Sequence, residues 1–321
     1  MRPSVHATCL AAAAPLLATA LWPSIGLAAE SAVELRVADS TLRVELDREA
    51  FRDTAALIAW VRRSAEIVAS YYDQFPARRA RVRILAESGD GVHGGTTFAN
   101  PDAYIRVRVG REVTEPQLQS DWVLVHEMTH LALPDVGEEH AWLSEGLATY
   151  VEGVARVRAG NRSEADVWAE ELRQMPRGLP GAGDRGLDHT HTWGRTYWGG
   201  AIFCLLADVD IREQTQLRLG LQDALRAVLR ASGGLAAEWP IERVLRTADR
   251  AVGTKTLEGL YAELKNAPVT LDLPMLWQRL GVLPDGSGVR LDDEAPLANV
   301  RRAIMHGSEA TPGGGGARSS R

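Results

Sequence analysis

The sequence predicts an α+β fold, in which a small N-terminal mixed sheet with one helix precedes a mostly helical region. Three observations lead there. Between residues 33 and 109, short runs alternate apolar and polar side chains, the period of a strand with one buried side. From Ser120 onward, apolar residues recur at helical spacing in successive segments separated by Gly, Pro and Asp. Strand-like and helix-like segments are therefore segregated along the chain, which indicates an α+β arrangement rather than alternating βαβ units. No repeat of 20 to 50 residues is visible, which excludes a solenoid. With 321 residues, 45% of them hydrophobic, the chain is long enough for a large buried core and too apolar to be disordered throughout.

Taken in order, residues 1–28 have the pattern of a cleaved export signal: Arg2, an apolar run over 9–21, then Gly26, Leu27 and Ala28. Pro15, Pro23 and the many alanines make that run too weak for a permanent membrane anchor. Cleavage leaves a periplasmic or secreted chain with no further apolar run of spanning length. It also removes Cys9, so Cys204 has no partner for an intrachain disulfide.

One folded domain is expected over 29–306, sheet-bearing over 29–119 and helical over 120–306. Runs at 33–37 and 42–46 flank Asp39 and Ser40 as a hairpin. A helix follows on Phe51, Leu57, Ile58, Val61, Ile67 and Val68, with Pro76 as its stop. Strands at 81–85 and 103–109 are separated by a loop-like stretch holding Gly89, Gly91, Gly94, Gly95, Asn100 and Pro101. In the second strand Ile105, Val107 and Val109 share the buried face, and an edge position is expected for it. Helices are expected near 121–133, 138–158, 163–174, 193–209, 215–231, 240–250, 256–265 and 272–280, with Ser120 or Asp121 capping the first. Residues 307–321 are mostly Gly, Ser, Pro and Arg with almost nothing to bury, so a disordered tail is expected. Asp and Glu outnumber Lys and Arg by 42 to 36, and a net charge of -6 argues against nucleic acid as a partner.

Chemistry concentrates at His126-Glu127-Met128-Thr129-His130, an H-E-x-x-H pattern on the first of those helices. Residues four apart lie on one helix face, so both imidazoles can converge on a single zinc ion. Glu127 lies about 100° round from His126, within reach of water on the metal and poorly aimed to bind it. Val123, Leu124, Val125, Met128 and Leu131 make this a central helix, where idle polar side chains would be costly. Pro134, Asp135 and Gly137 break it, and the helix that returns carries Glu145 about two turns in, where it can supply the third ligand. Gly146 is expected to let these two helices approach. Two His and one Glu form a catalytic set with an open fourth position, and one zinc per chain is expected.

These residues resemble the gluzincin zinc metallopeptidases, and most closely the catalytic domain of aminopeptidase N relatives. His126-Glu127-x-x-His130 is followed by Trp142-Leu143-Ser144-Glu145-Gly146-Leu147-Ala148, similar to a W-L-N-E-G-F-A segment, with Ser144 and Leu147 as departures. Tyr197-Trp198-Gly199-Gly200-Ala201 is similar to a Y-x-K-G-A segment. The resemblance implies a thermolysin-like fold and a peptide or protein substrate. It also implies zinc on His126, His130 and Glu145, Glu127 as the base, and Tyr197 as oxyanion donor. Gly94-Gly95-Thr96-Thr97-Phe98 offers no counterpart to the family's amine-gripping G-A-M-E-N glutamate. Internal cleavage of extended chains is therefore expected over removal of N-terminal residues. The alternative from another class is a non-catalytic envelope protein that binds a partner. His93, His140, His189 and His191 are expected in loops or near the surface.

Overall fold

The computed structural model describes residues 31–100 and 102–307. The export-signal reading of 1–28, and the tail reading beyond Gly307, fall outside the described residues. The described residues divide into two compact units, one of 31–100 and 102–135 with 232–238 and one of 136–231 with 239–307.

The first unit is built on a five-stranded sheet of order β1-β2-β3-β5-β4. Its strands are β1 (Ser31–Val37), β2 (Ser40–Leu46), β3 (Arg79–Glu87), β4 (Val92–Phe98) and β5 (Ala103–Gly110). The expected hairpin forms, with β1 and β2 antiparallel. Between β2 and β3 runs α1 (Thr54–Tyr72), capped by the Asp53 side chain and ended at Asp73, which takes the left-handed conformation three residues before Pro76. Because β2, β3 and β5 run parallel and β4 antiparallel to β5, the sheet is mixed. Leu42, Val44, Val82, Ile84, Ile105 and Val107 are buried on the inner face, against which α1 and α3 (Val123–His130) pack. A short helix, α2 (Glu115–Ser120), leads into α3, and residues 232–238 return to this unit through an Asp135–Glu238 bridge.

Two sequence expectations are corrected in this unit. The glycine-rich stretch is a strand over Val92–Phe98, because β5 supplies the pairing that glycine's own propensity does not. As a result β5 lies inside the sheet, between β3 and β4, and β4 is the edge.

The second unit is helical: α4 (Ala141–Arg158), α5 (Glu164–Gln174), α6 (Gly200–Gln214), α7 (Leu221–Ser232), α8 (Ile241–Val252), α9 (Thr256–Leu264), α10 (Leu273–Leu280) and α11 (Ala298–His306). A small hairpin of β6 (Val282–Asp285) and β7 (Gly288–Leu291) interrupts the series, and neither it nor α11 was expected from the sequence. At the centre α4 crosses α6 with no side chains between them. A Cβ on Gly146 would lie 2.2 Å from Gly200 Cα, and one on Gly200 would lie 2.0 Å from the Trp142 carbonyl oxygen. Gly146 thus serves the approach to α6, where the sequence suggested approach to the zinc-motif helix. Trp142 packs edge-on against Phe203, ring centroids 5.1 Å apart. Asp208 and Arg212 form a buried ion pair at 2.8 Å, and Tyr150 donates its hydroxyl to Asp208 at 2.9 Å. Burial raises the Cys204 thiol far above its usual range, leaving it inert in this core. No helix among the described residues is long and apolar enough to cross a membrane.

The α4–α6 crossing generates the first prediction. Gly200→Ala forces a methyl into backbone and should destabilise the protein by about 1–3 kcal/mol or more. At ~2–4 °C per kcal/mol for a chain of this size, calorimetry should show the melting temperature falling by several degrees. An unchanged melting temperature would mean that the two helices can separate freely.

Candidate metal centre

The helix that carries the H-E-x-x-H residues is held at its start by one carboxylate. Asp121 accepts the backbone N–H groups of Val123 and Leu124, both at 3.1 Å, and the indole N–H of Trp60 on α1, also at 3.1 Å. It therefore caps α3 and ties it to its neighbour, as the sequence suggested for that position. Val123, Leu124, Val125 and Met128 bury the rest of the helix. His126 is only 4% exposed, and its ring meets that of His130 edge-on, centroids 4.8 Å apart and planes at 82°.

Glu145 stands on α4, whose first turn is fixed by Asp188. One oxygen of Asp188 takes the Trp142 indole N–H at 2.8 Å and faces His140 Nδ1 at 2.9 Å, and the other takes the Tyr261 hydroxyl at 2.8 Å. Nothing in the sequence singled out Asp188. His140 is in this clamp and outside the ligand group.

One ligand atom from each of His126, His130 and Glu145 lies within 4.8 Å of the others, so these residues could hold a metal ion. The donor set tests which ion fits. Two imidazoles and one carboxylate, with no sulfur among them, match the three-ligand sets of catalytic zinc, whereas structural zinc is closed by four protein ligands. Calcium and magnesium favour all-oxygen sites.

Glu127 lies outside the ligand group and against β4. Gly95 and Thr97 share the inner face of that strand, opposite Val107 and Ile105 of β5. A Cβ on Gly95 would be 2.5 Å from Glu127 Cγ, so only glycine leaves room for this side chain. The Thr97 hydroxyl lies 2.7 Å from Glu127 Oε2 and 2.8 Å from the Glu127 carbonyl oxygen, and its single proton serves these two acceptors. Thr97 escaped the sequence reading because its role depends on a strand that glycine concealed.

Tyr197 sits in a π-helical turn, Gly194–Gly199, immediately before α6, its ring stacked on Trp193 at 5.7 Å. Such turns recur at functional positions. Arg195 anchors this one, with Nη1 donating to the Gly178 carbonyl at 2.5 Å and Nε 2.8 Å from Asp184. Burial lowers the Arg195 pKa and Asp184 opposes that shift. Of the remaining histidines, His189 bonds Asn266 at 2.8 Å in an exposed turn, and His191 is exposed. His93 lies on β4, where the sequence suggested a loop, and its hydrogen bond to Glu87 at 2.8 Å raises its pKa.

The chain matches no protein-family profile and no curated protein. Among solved structures it is similar to an aminopeptidase N family protein from Idiomarina loihiensis, with a TM-score of 0.61 at 18% identity, over 79% of this chain and 50% of that one. An M1 zinc metallopeptidase from Deinococcus radiodurans aligns with a TM-score of 0.49 at 14% identity, over 76% and 53%. The chain spans about half the length of these structures. The first likeness is one of fold.

The ligand geometry generates the second prediction. Purified protein should take up one zinc ion per chain by metal analysis. His130→Ala should lose it, since two remaining ligands bind weakly, and Glu127→Gln should keep it. Equal zinc content in the wild type and His130→Ala would place the metal elsewhere.

Proposed function

We propose that this protein is a zinc-dependent peptidase that cleaves within extended polypeptide chains. One observation carries the reading. A carboxylate sits beside the ligand histidines, is no ligand itself, and is held by a hydroxyl on the neighbouring strand. A structural metal site has no use for such a group, which also disfavours a purely binding protein. Zinc bound by His126, His130 and Glu145 supplies a Lewis acid that acidifies water and polarises a carbonyl.

The chain's own residues do the rest. Glu127 takes the proton of the attacking water and passes it to the departing amine. Thr97 donates to one carboxylate oxygen and so leaves the other to carry that proton. Tyr197 donates its hydroxyl to the oxygen that gains charge. Substrate is received along the open side of β4, where main-chain groups supply affinity without reading an amine. β4 carries no acidic side chain, which supports internal cleavage. Export is supported by the pattern of residues 1–28. A second reading, removal of N-terminal residues, is favoured by the likeness in fold to the aminopeptidase N family protein from Idiomarina loihiensis.

Two predictions follow from this chemistry. Glu127→Gln should abolish hydrolysis while zinc stays bound, because an amide cannot accept the proton. Thr97→Val should lower kcat by about tenfold with zinc content unchanged, the loss of one charge-assisted hydrogen bond of ~1.5 kcal/mol, and Thr97→Ser should recover it. Full turnover in Glu127→Gln would remove the base from the mechanism. The other prediction compares matched peptides with free and acetylated N-termini, digested by the mature protein and read by mass spectrometry. Equal cleavage is expected, and strict dependence on the free amine would replace the endopeptidase reading with the aminopeptidase one.

A further inference from the structure

Since Gly95 and Thr97 face α3, Thr96 and Phe98 point to the opposite face of the sheet. Register draws one row across that outer face through Glu34, Arg43, Arg81, Tyr104 and Phe98. The adjacent row sets Arg83 beside Arg106 and Arg106 beside Thr96. Toward β1 and β2 the charges are matched, with Arg43 Nε 2.9 Å from Glu45. Toward β4, Glu87 meets Arg108 at 3.6 Å and His93 at 2.8 Å, but Arg81 and Arg106 face no carboxylate. Arg81 lies 4.4 Å above the Tyr104 ring, and Arg106 reaches from β5 to within 5.7 Å of the Phe98 ring. Tyr104 and Phe98 stack on each other at 5.7 Å. Among the described residues neither Arg81 nor Arg106 forms an ion pair with a carboxylate, both are exposed, and Phe98 is 39% exposed.

This cationic, aromatic corner borders the edge strand. β4 has β5 on one side and, among the described residues, no strand on the other, so its outward N–H and C=O groups can pair with an added chain. A chain in that position lies about 4.8 Å beyond β4 and projects alternate side chains onto the outer face. Arg106, on β5, is one strand in from that position, with β4 between. Its planar guanidinium, like that of Arg81, is oriented by an aromatic ring and keeps its fork of donors for a carboxylate.

We propose that this corner makes the β4 edge selective for acidic peptides, those with Asp or Glu on the alternate residues that project onto the outer face toward Arg106, with Arg81 further in beside Tyr104. The proposal rests on the reading in which an extended chain lies along β4. Because the whole chain carries a charge of -6, its overall field repels such peptides, and these local arginines must supply the attraction.

The experiment uses the full-length Glu127→Gln protein, loaded with zinc, so that binding is read without turnover. Acetylated fluorescent peptides alternating Thr with Glu, Gln or Lys are titrated by anisotropy. The Glu peptide should bind at least tenfold more tightly than the Gln peptide, and the Lys peptide should bind most weakly. In Arg81→Gln/Arg106→Gln on the same background, Glu and Gln peptides should agree within twofold, with melting curves confirming that the variant is folded. N-methylation of alternate amides should weaken binding in one of the two registers. Equal affinity for Glu and Gln peptides, a preference that survives the double variant, or indifference to N-methylation in both registers would overturn the proposal. So would binding to phosphatidylglycerol vesicles without discrimination among peptides. Digestion by the wild type separates the two readings. Preferential binding with no cleavage of any peptide refutes the peptidase and leaves the selectivity, whereas equal cleavage and equal affinity for all three does the reverse.

Discussion

Two imidazoles and a carboxylate must be held with one donor atom each inside 4.8 Å, and every other feature of the centre answers to that constraint. Polar side chains on buried helices are unfavourable unless something fixes and satisfies them. Two aspartates do this. Asp121 caps α3 and binds Trp60, so the helix cannot rotate about its axis without breaking three hydrogen bonds. Asp188 gathers Trp142, His140 and Tyr261, so the first turn of α4 is set before Glu145 is reached. Glycine does the remainder, since Gly146 against Gly200 fixes α4 on α6, and the π turn that leads into α6 carries Tyr197.

The sheet has two unlike faces at its β4 edge, and both derive from the period of a strand. Inward, Gly95 and Thr97 give Glu127 space and a hydrogen bond. Outward, Phe98 lies with Tyr104 under two arginines. A one-residue slip of register would exchange these faces, placing bulk where Glu127 needs room. The Val92/Gly94 irregularity that precedes this segment is therefore as consequential as any residue in it.

Most helices, though not α2 or α11, were legible in the sequence because local rules set them: Asp53 and Ser163 cap where capping residues are expected, and left-handed Asp73 stops α1. The approach of His126 to His130 was legible because i to i+4 spacing on one helix is local too. What escaped depends on partners distant in sequence. β4 reads as a loop until β5 pairs with it, and that error moved the sheet edge to the wrong strand and hid Thr97. Asp188 gains its meaning only from Trp142 and Tyr261. The β6–β7 hairpin differs, because Asp285-Gly286 is a local turn signal between two short runs.

X-ray absorption spectroscopy of the zinc-loaded protein tests the central claim most directly, because it reports the atoms around the metal irrespective of any reaction. The account predicts about two imidazole nitrogens and further oxygen donors at ~2.0–2.2 Å, with no sulfur, and loss of bound zinc, and with it this spectrum, in His126→Ala. A sulfur shell at ~2.3 Å, or a spectrum unchanged by that substitution, would contradict it.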